Sequence, residues 1–211
     1  MEKYIKRINE IIREYNNKNF EKLGGLLEEI KKDMIYETAL KNVDKKGKLQ
    51  LQCAKKILKD KNNDVRPLFQ KVYKIDDEYM ICNGYIGICL KNMINGLELH
   101  SEEDSKKCLN IRNIFPDVYY NFSKTEINML DLEKSIIENK NKRKDEELKP
   151  FIISKEKIKI AVNPEYLKNT INVLGGECEI ICSDINSRDP IYLKSELGEG
   201  IVLPIVMPKE V

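Results

Sequence analysis

From Lys157 the chain reads KIKIAVNPEYLKNTINVLGGECEIICSDINSRDPIYLKSELGEGIVLPIVMPKEV, ending at Val211. Ile158, Ile160 and Val162 alternate to one face, as in a half-buried strand. Asn163 then stands at a helix N-cap, Pro164 at the first helical position, and Glu165 in the turn that favours an anion. Leu167, Ile171 and Leu174 repeat at helical spacing, and Gly175-Gly176 stop the helix. CEIICS, PIYLKS and GIVLPIVMP follow as an antiparallel set joined by SDINSRD and ELGEG. The order is strand, capped helix, three strands, and it decides the class as α+β.

Working back, PFIIS (150–154) reads as a further strand. DLEKSIIENKNKRK (131–144) reads as a helix running into a charged loop from Lys140 to Glu147. IFPDVYYNF (114–122) reads as an extended connector around Pro116. SEEDSKKC (101–108) opens a helix, with Ser101 as its cap and Glu102, Glu103 and Asp104 in its first turn. RPLFQKVYKID (66–76) and EYMICNGYIGICLK (78–91) read as two strands of a hairpin turning at Asp76-Asp77. Gly84 and Gly87 in the second strand mark a bulge or a close backbone approach. KLQLQ (48–52) alternates as a strand, with CAKKILKD (53–60) a short helix after it.

Residues 2–40 form a helical hairpin. Ile5, Ile8, Ile11 and Ile12, then Leu23, Leu26, Leu27 and Ile30, recur at helical spacing, with Asn16, Asn17 and Asn19 between the runs. The polar stretch 42–48 is a boundary, giving an arm over 1–44 and a main unit over 45–211. That unit divides further into 45–122 and 123–211 if it holds two reduced parts. The arm either packs on the body or serves as a partner-binding or oligomerising element.

No run of about 18 apolar residues is present, and MEKYIKRINEII lacks a signal-peptide core, so a cytoplasmic protein without membrane association is expected. Net charge is only +2, from 37 basic and 35 acidic residues, so any DNA contact has to come from a local basic face rather than from the whole surface. Six cysteines, none in a C-x-x-C pair, read as buried free thiols, with Cys178 and Cys182 on one strand face beside Ile180. His100, the single histidine, sits in a polar stretch and reads as a surface residue. Asp184 and Asp189 flank a turn, where carboxylates serve the turn itself. There is no G-x-S-x-G, P-loop or G-x-G-x-x-G, so no catalytic residues, metal or cofactor are expected.

Two segments together resemble one family. The N-x-x-Y-L helix start at Asn163, Tyr166 and Leu167, and the terminal M-P at Met207 and Pro208, are similar to the last domain of bacterial DNA polymerase III beta sliding clamps. MICNGYIGICL (80–90) resembles the clamp T-D-G-[YH]-R-L strand, with Cys82, Asn83 and Ile86 where that motif has Thr, Asp and Arg. KLQLQCAKKILKD, FPDVYYNF and TEINMLDLEKSIIENK are similar to neighbouring clamp segments. The resemblance implies β-α-β units of antiparallel sheet with helices on one face. It also implies a hydrophobic groove for polymerase or clamp-loader peptides, lined here by Gly84, Tyr85, Ile86, Val206, Met207, Pro208 and Val211. Its inner helices would present Lys55, Lys56, Lys59, Lys134 and Lys168 to the backbone of double-stranded DNA within a homo-oligomeric ring. The functional expectation is a non-enzymatic, sliding-clamp-like replication accessory. The alternative is a clamp-fold interaction module that binds a partner peptide without encircling DNA.

Overall fold

A computed structural model describes residues 2–142 and 147–206. Helices α1 (Glu2–Asn16) and α2 (Phe20–Asn42) form the N-terminal hairpin, and α3 (Lys45–Leu58) follows. Strands β1 (Tyr73–Ile75), β2 (Glu78–Cys82) and β3 (Ile86–Leu90) come next, then the short helix α4 (Glu102–Ser105), β4 (Phe122–Thr125) and α5 (Met129–Lys140). The chain closes with β5 (Phe151–Ser154), β6 (Lys159–Val162), α6 (Pro164–Val173), β7 (Glu179–Ser183), β8 (Ile191–Ser195) and β9 (Gly198–Val202). The class is α+β, as the punctuation of residues 157–202 implies.

Seven strands form one sheet in the order β1-β2-β3-β9-β8-β7-β4, each neighbouring pair antiparallel, and β5-β6 form a separate ribbon. Six of these strands, all but the edge strand β4, are two copies of one arrangement. A helix and three strands (α3, β1-β2-β3) meet a helix and three strands (α6, β7-β8-β9), and the last strands of the two halves pair at the middle. Ile86 faces Val202, Ile88 faces Gly200, and Leu90 faces Gly198 across that seam. The two helices lie side by side, with Gln50 Nε2 donating to the Val173 carbonyl at 2.8 Å and Lys56 paired to Glu165 at 3.1 Å.

Period-two alternation sends each strand's residues to two different cores. Ile81, Ile86, Ile88, Leu90, Ile180, Cys182, Ile191, Leu193 and Val202 point toward the helices. Tyr73, Met80, Cys82, Cys89, Ile181, Tyr192 and Ile201 point to the other face, where Ile111, Phe115, Tyr119 and Phe122 cover them. All five residues of β3 are therefore buried. Arg112 clamps the cover down, bonding both Glu78 on β2 and Glu199 on β9.

The local chemistry of α6 is as its sequence dictates. Asn163 Oδ1 accepts from the amides of Glu165 and Tyr166, Pro164 occupies the first turn, and the Gly176 amide closes the end on the Ile171 carbonyl at 2.8 Å. Ser101 likewise caps α4, accepting from the Asp104 amide.

Three expectations are corrected. KLQLQ is not a strand: Asp44 caps a helix that runs unbroken from Lys45, accepting from the Gly47 amide at 2.7 Å. Only Tyr73–Ile75 of the segment 66–76 is strand, because Pro67–Phe69 form a 3-10 turn. The stretch 78–91 is two strands, β2 and β3, folded back on each other by a turn at Asn83–Tyr85. In addition, β9 begins at Gly198, inside the expected loop, and ends at Val202. The charged run beyond Lys142 lies, for residues 143–146, outside the described residues.

All six cysteines are free thiols, but Cys108 and Cys178 are half-buried rather than buried; Cys178, just ahead of β7, packs with Ile180 and Cys182 on the helix-side core. Burial pushes Cys89 up from 9.0 to about 12 and Cys182 up to about 11. The folded state thus holds these protons more tightly than the unfolded chain does. The stabilisation is complete below a pH of about 9 and is lost as pH rises toward 11 to 12. Urea midpoints should fall steadily across that window, by on the order of 2 to 4 kcal/mol in unfolding free energy for each thiol. Midpoints flat from pH 8 to 11 would contradict it.

Candidate functional site

On the face away from the helices, the sheet is left uncovered at one end. One rung of the sheet forms the floor there: Cys82 pairs with Gly87, and Gly87 with Ile201. Gly87 makes the floor low. A Cβ at that position would lie 2.8 Å from Ile111 Cγ2 and 2.9 Å from Ile201 Cγ2. One wall is Arg66 with the 3-10 turn Pro67–Phe69, and the other runs from Lys107 to Ile114. Gly84, Tyr85 and Ile86 close the end, and Leu203 completes the rim. The resulting groove holds about 760 Å³ and its lining is overwhelmingly apolar. Val65, Tyr85, Leu109, Ile114 and Leu203 are all exposed around it. An open apolar groove of this size is the form a peptide side-chain receptor takes.

The end wall is held by a polar network behind it. Asn83 is fully buried, and its Oδ1 accepts from the Tyr85 amide at 2.9 Å and the Ile86 amide at 2.7 Å. Its Nδ2 donates to Asp60 Oδ2 at 3.1 Å. Asp60 Oδ1 in turn accepts from Asn62, whose Nδ2 donates to the Tyr166 hydroxyl at 3.0 Å. Tyr166 stacks on Tyr85 with ring centroids 5.9 Å apart. Tyr85 is thereby fixed at its backbone and along its ring while half its surface stays open. Asn63 ties the same corner together, its Nδ2 lying within 3.4 Å of the carbonyls of Ile57, Leu58, Phe69 and Cys82.

The groove's charge is placed at its rim. Lys107 is engaged by Glu103 and Asp104, whereas Arg66, lying over Gly84, makes no ion pair among the described residues. The thiols of Cys82 and Cys108 border the cavity, and burial pushes both up, so they stay protonated and unreactive at neutral pH. His100 is half-buried rather than on the surface, its Nε2 3.1 Å from the Leu68 carbonyl behind the wall. Asp189 serves its turn, accepting from Asn186, whereas Asp184 does not: it accepts from Lys155 and Ser123, distant in sequence, and ties β4 to the segment after β7. Among the described residues no group of three or more His, Cys, Asp or Glu is arranged to hold a metal ion.

Of the residues the sequence assigned to a groove, Gly84, Tyr85 and Ile86 come together at its end, although the Ile86 side chain belongs to the helix-side core. Val206 is exposed beyond β9 and does not line the cavity. Met207, Pro208 and Val211 lie outside the described residues. The walls at 66–69 and 107–114 were not read from the sequence at all.

The five lysines assigned to DNA are spread over the helical layer, and most are engaged. Lys56 pairs with Glu165, Lys134 with Asp131 at 3.4 Å, and Lys168 with Glu133 at 2.6 Å. Lys55 sits over the Tyr36 ring at 3.2 Å, and Lys59 lines a polar cleft beside Gln70 and Glu98. Among the described residues no helix is long and apolar enough to cross a membrane. No protein-family model, curated protein or solved structure matches the chain.

Proposed function

We propose that this chain is a sliding-clamp-like, non-enzymatic binding protein of the replication machinery whose working surface is the Tyr85 groove. One observation carries the reading. The β2–β3 turn and the start of α6, two stretches that resemble clamp sequence, meet where Tyr166 stacks on Tyr85 at the end of the apolar groove. The doubled arrangement of helix and three strands, with both helices on one face, supports the same architecture. The ligand that fits is a short peptide with apolar side chains for the Gly87 floor and a carboxylate for Arg66.

A library of ten-residue peptides panned against the whole protein tests this. Enrichment of sequences combining apolar and acidic residues is expected, with Tyr85→Ala weakening capture at least tenfold. Arg66→Gln should relax the acidic preference while retaining apolar binding. Peptides that bind Tyr85→Ala as well as the parent would remove the groove from the account.

A second reading, encirclement of DNA by an oligomer of this chain, draws on the paired helices α3 and α6. Ion pairing at Lys56, Lys134 and Lys168 leaves that face less free cationic charge than its lysine count implies. Retention on nicked circular DNA, lost on linearisation, is the outcome that would favour a ring.

A further inference from the structure

The N-terminal hairpin has almost no core of its own. Among residues 4–42 the only fully buried side chain is Glu14, a carboxylate held by Arg13, Asn19 and Lys22. Its helices meet through polar contacts, including Arg7–Asp33 at 2.6 Å. The large apolar side chains lie elsewhere. On α1, Ile5, Ile8, Ile12 and Tyr15 follow the alternating three-and-four spacing of a coiled-coil seam. On α2, Phe20, Leu27 and Met34 recur every seven residues. All seven are between 50% and 64% exposed.

Helical geometry sets both stripes on one side. Each lies roughly a quarter-turn, at ~100° per residue, from the line where α1 and α2 touch, and in the same rotational sense. In an antiparallel pair, equal offsets of equal sense fall on the same surface. The body lies opposite, where α2 meets it through Lys32 on Glu98 and Tyr36 under Lys55. The hairpin therefore carries a double apolar seam facing away from the domain.

We infer that this seam pairs with the same seam of a second copy, giving an antiparallel four-helix bundle and a two-fold dimer. Self-complementarity is what a two-fold interface requires, since one patch meets itself. Seven half-exposed side chains offer roughly 600 Å² per copy, and the half-buried Ile11, Leu23 and Ile30 bring this near the ~800 Å² per partner of a stable interface. Charge argues against a lipid surface. Residues 2–42 carry nine basic and eight acidic side chains, a net of +1, with none of the cationic excess that an interfacial helix uses. A nearly neutral face also does not repel its own copy. The inference does not rest on the groove.

Sedimentation equilibrium of the whole chain tests it. The expected mass is twice the 24.6 kDa of one chain. Ile8→Lys with Ile12→Lys should return the monomer with the thermal unfolding of the body unchanged, because both positions are exposed. Lys6→Gln, on the opposite face of α1, should leave the dimer intact. A parent protein that is monomeric at about 100 µM, or a dimer indifferent to Ile8→Lys and Ile12→Lys, overturns the inference. So does a monomer that co-sediments with phosphatidylglycerol vesicles, which would give the seam to a membrane instead.

Discussion

Gly198→Ala should lower the melting temperature by about 8 to 16 °C, a loss of at least ~4 kcal/mol for a domain of this size. Gly198 opens β9 opposite Leu90, at the tight β8–β9 turn. A Cβ there would sit 2.1 Å from the Cys89 carbonyl oxygen and 3.0 Å from Leu90 Cα. Both are backbone atoms, so no side chain can swing aside. Its φ of 156° adds strain for any residue with a Cβ. The clash is relieved only if the end of the β3–β9 ladder parts, and that ladder joins the two halves of the sheet. Circular-dichroism melts check this directly, and a shift under 2 °C would show that the seam yields more easily than its geometry implies.

Asn83→Leu is expected to cost about 3 to 5 kcal/mol and to release Tyr85 from the groove's end. The change keeps the heavy-atom branching but leaves the Tyr85 and Ile86 amides without an acceptor, each orphaned group costing ~1–3 kcal/mol. Asn83→Asp is the sharper test. It restores the residue found in the resembled clamp motif and keeps the acceptor for both amides. However, it turns a carboxylate toward Asp60, where the Asn83 amide now donates at 3.1 Å. The two carboxylates have to share a proton, so the pair's affinity for it rises above that of the unfolded chain. Stability should consequently be poor at neutral pH and recover as pH falls toward the carboxylate range. Urea titrations at pH 5 and pH 8 measure it. Equal losses for Asn83→Asp at both values would mean that Asp60 is not the partner that matters. Asparagine at this position is thus matched to Asp60, and the turn it caps is intact despite its departure from the motif.

The legible parts of this chain are those where capping and turn residues fix the backbone locally. Asn163-Pro164 and Gly175-Gly176 bound α6 in the structure as they do in the sequence, and Ser101 does the same for α4. KLQLQ misled because five residues are too few to separate a period of 2 from one of 3.6. The true stripe, Leu51, Ala54, Ile57 and Leu58, becomes visible only when the window extends to Leu58, with Asp44 as its cap. The groove was half legible. Its end, Gly84 to Ile86, carries a motif. Its walls come from residues 66–69 and 107–114, whose conformation is set by packing on the sheet. Ile111 is fully buried against β3 and β9, yet nothing periodic around it announces that. The Asp60–Asn83 contact joins residues 23 apart through side chains alone, so no local pattern could announce it.

The pairing of β3 with β9 has a consequence for how the protein is made. Residues 86–90 find their partner only at 198–202, more than a hundred positions later, so the central ladder is among the least local contacts in the molecule. Such pairings are slow, because a long loop has to close before any contact rewards it. During synthesis, the fully apolar β3 leaves the ribosome with β2 on one side and an open edge on the other until the last strand follows. Newly made chains would pass through a stage that invites strand addition from neighbours, making high expression and low temperature opposing influences on yield. The same dependence would make β9 a natural checkpoint, since chains broken before Gly198 leave the sheet unclosed and open to proteolysis.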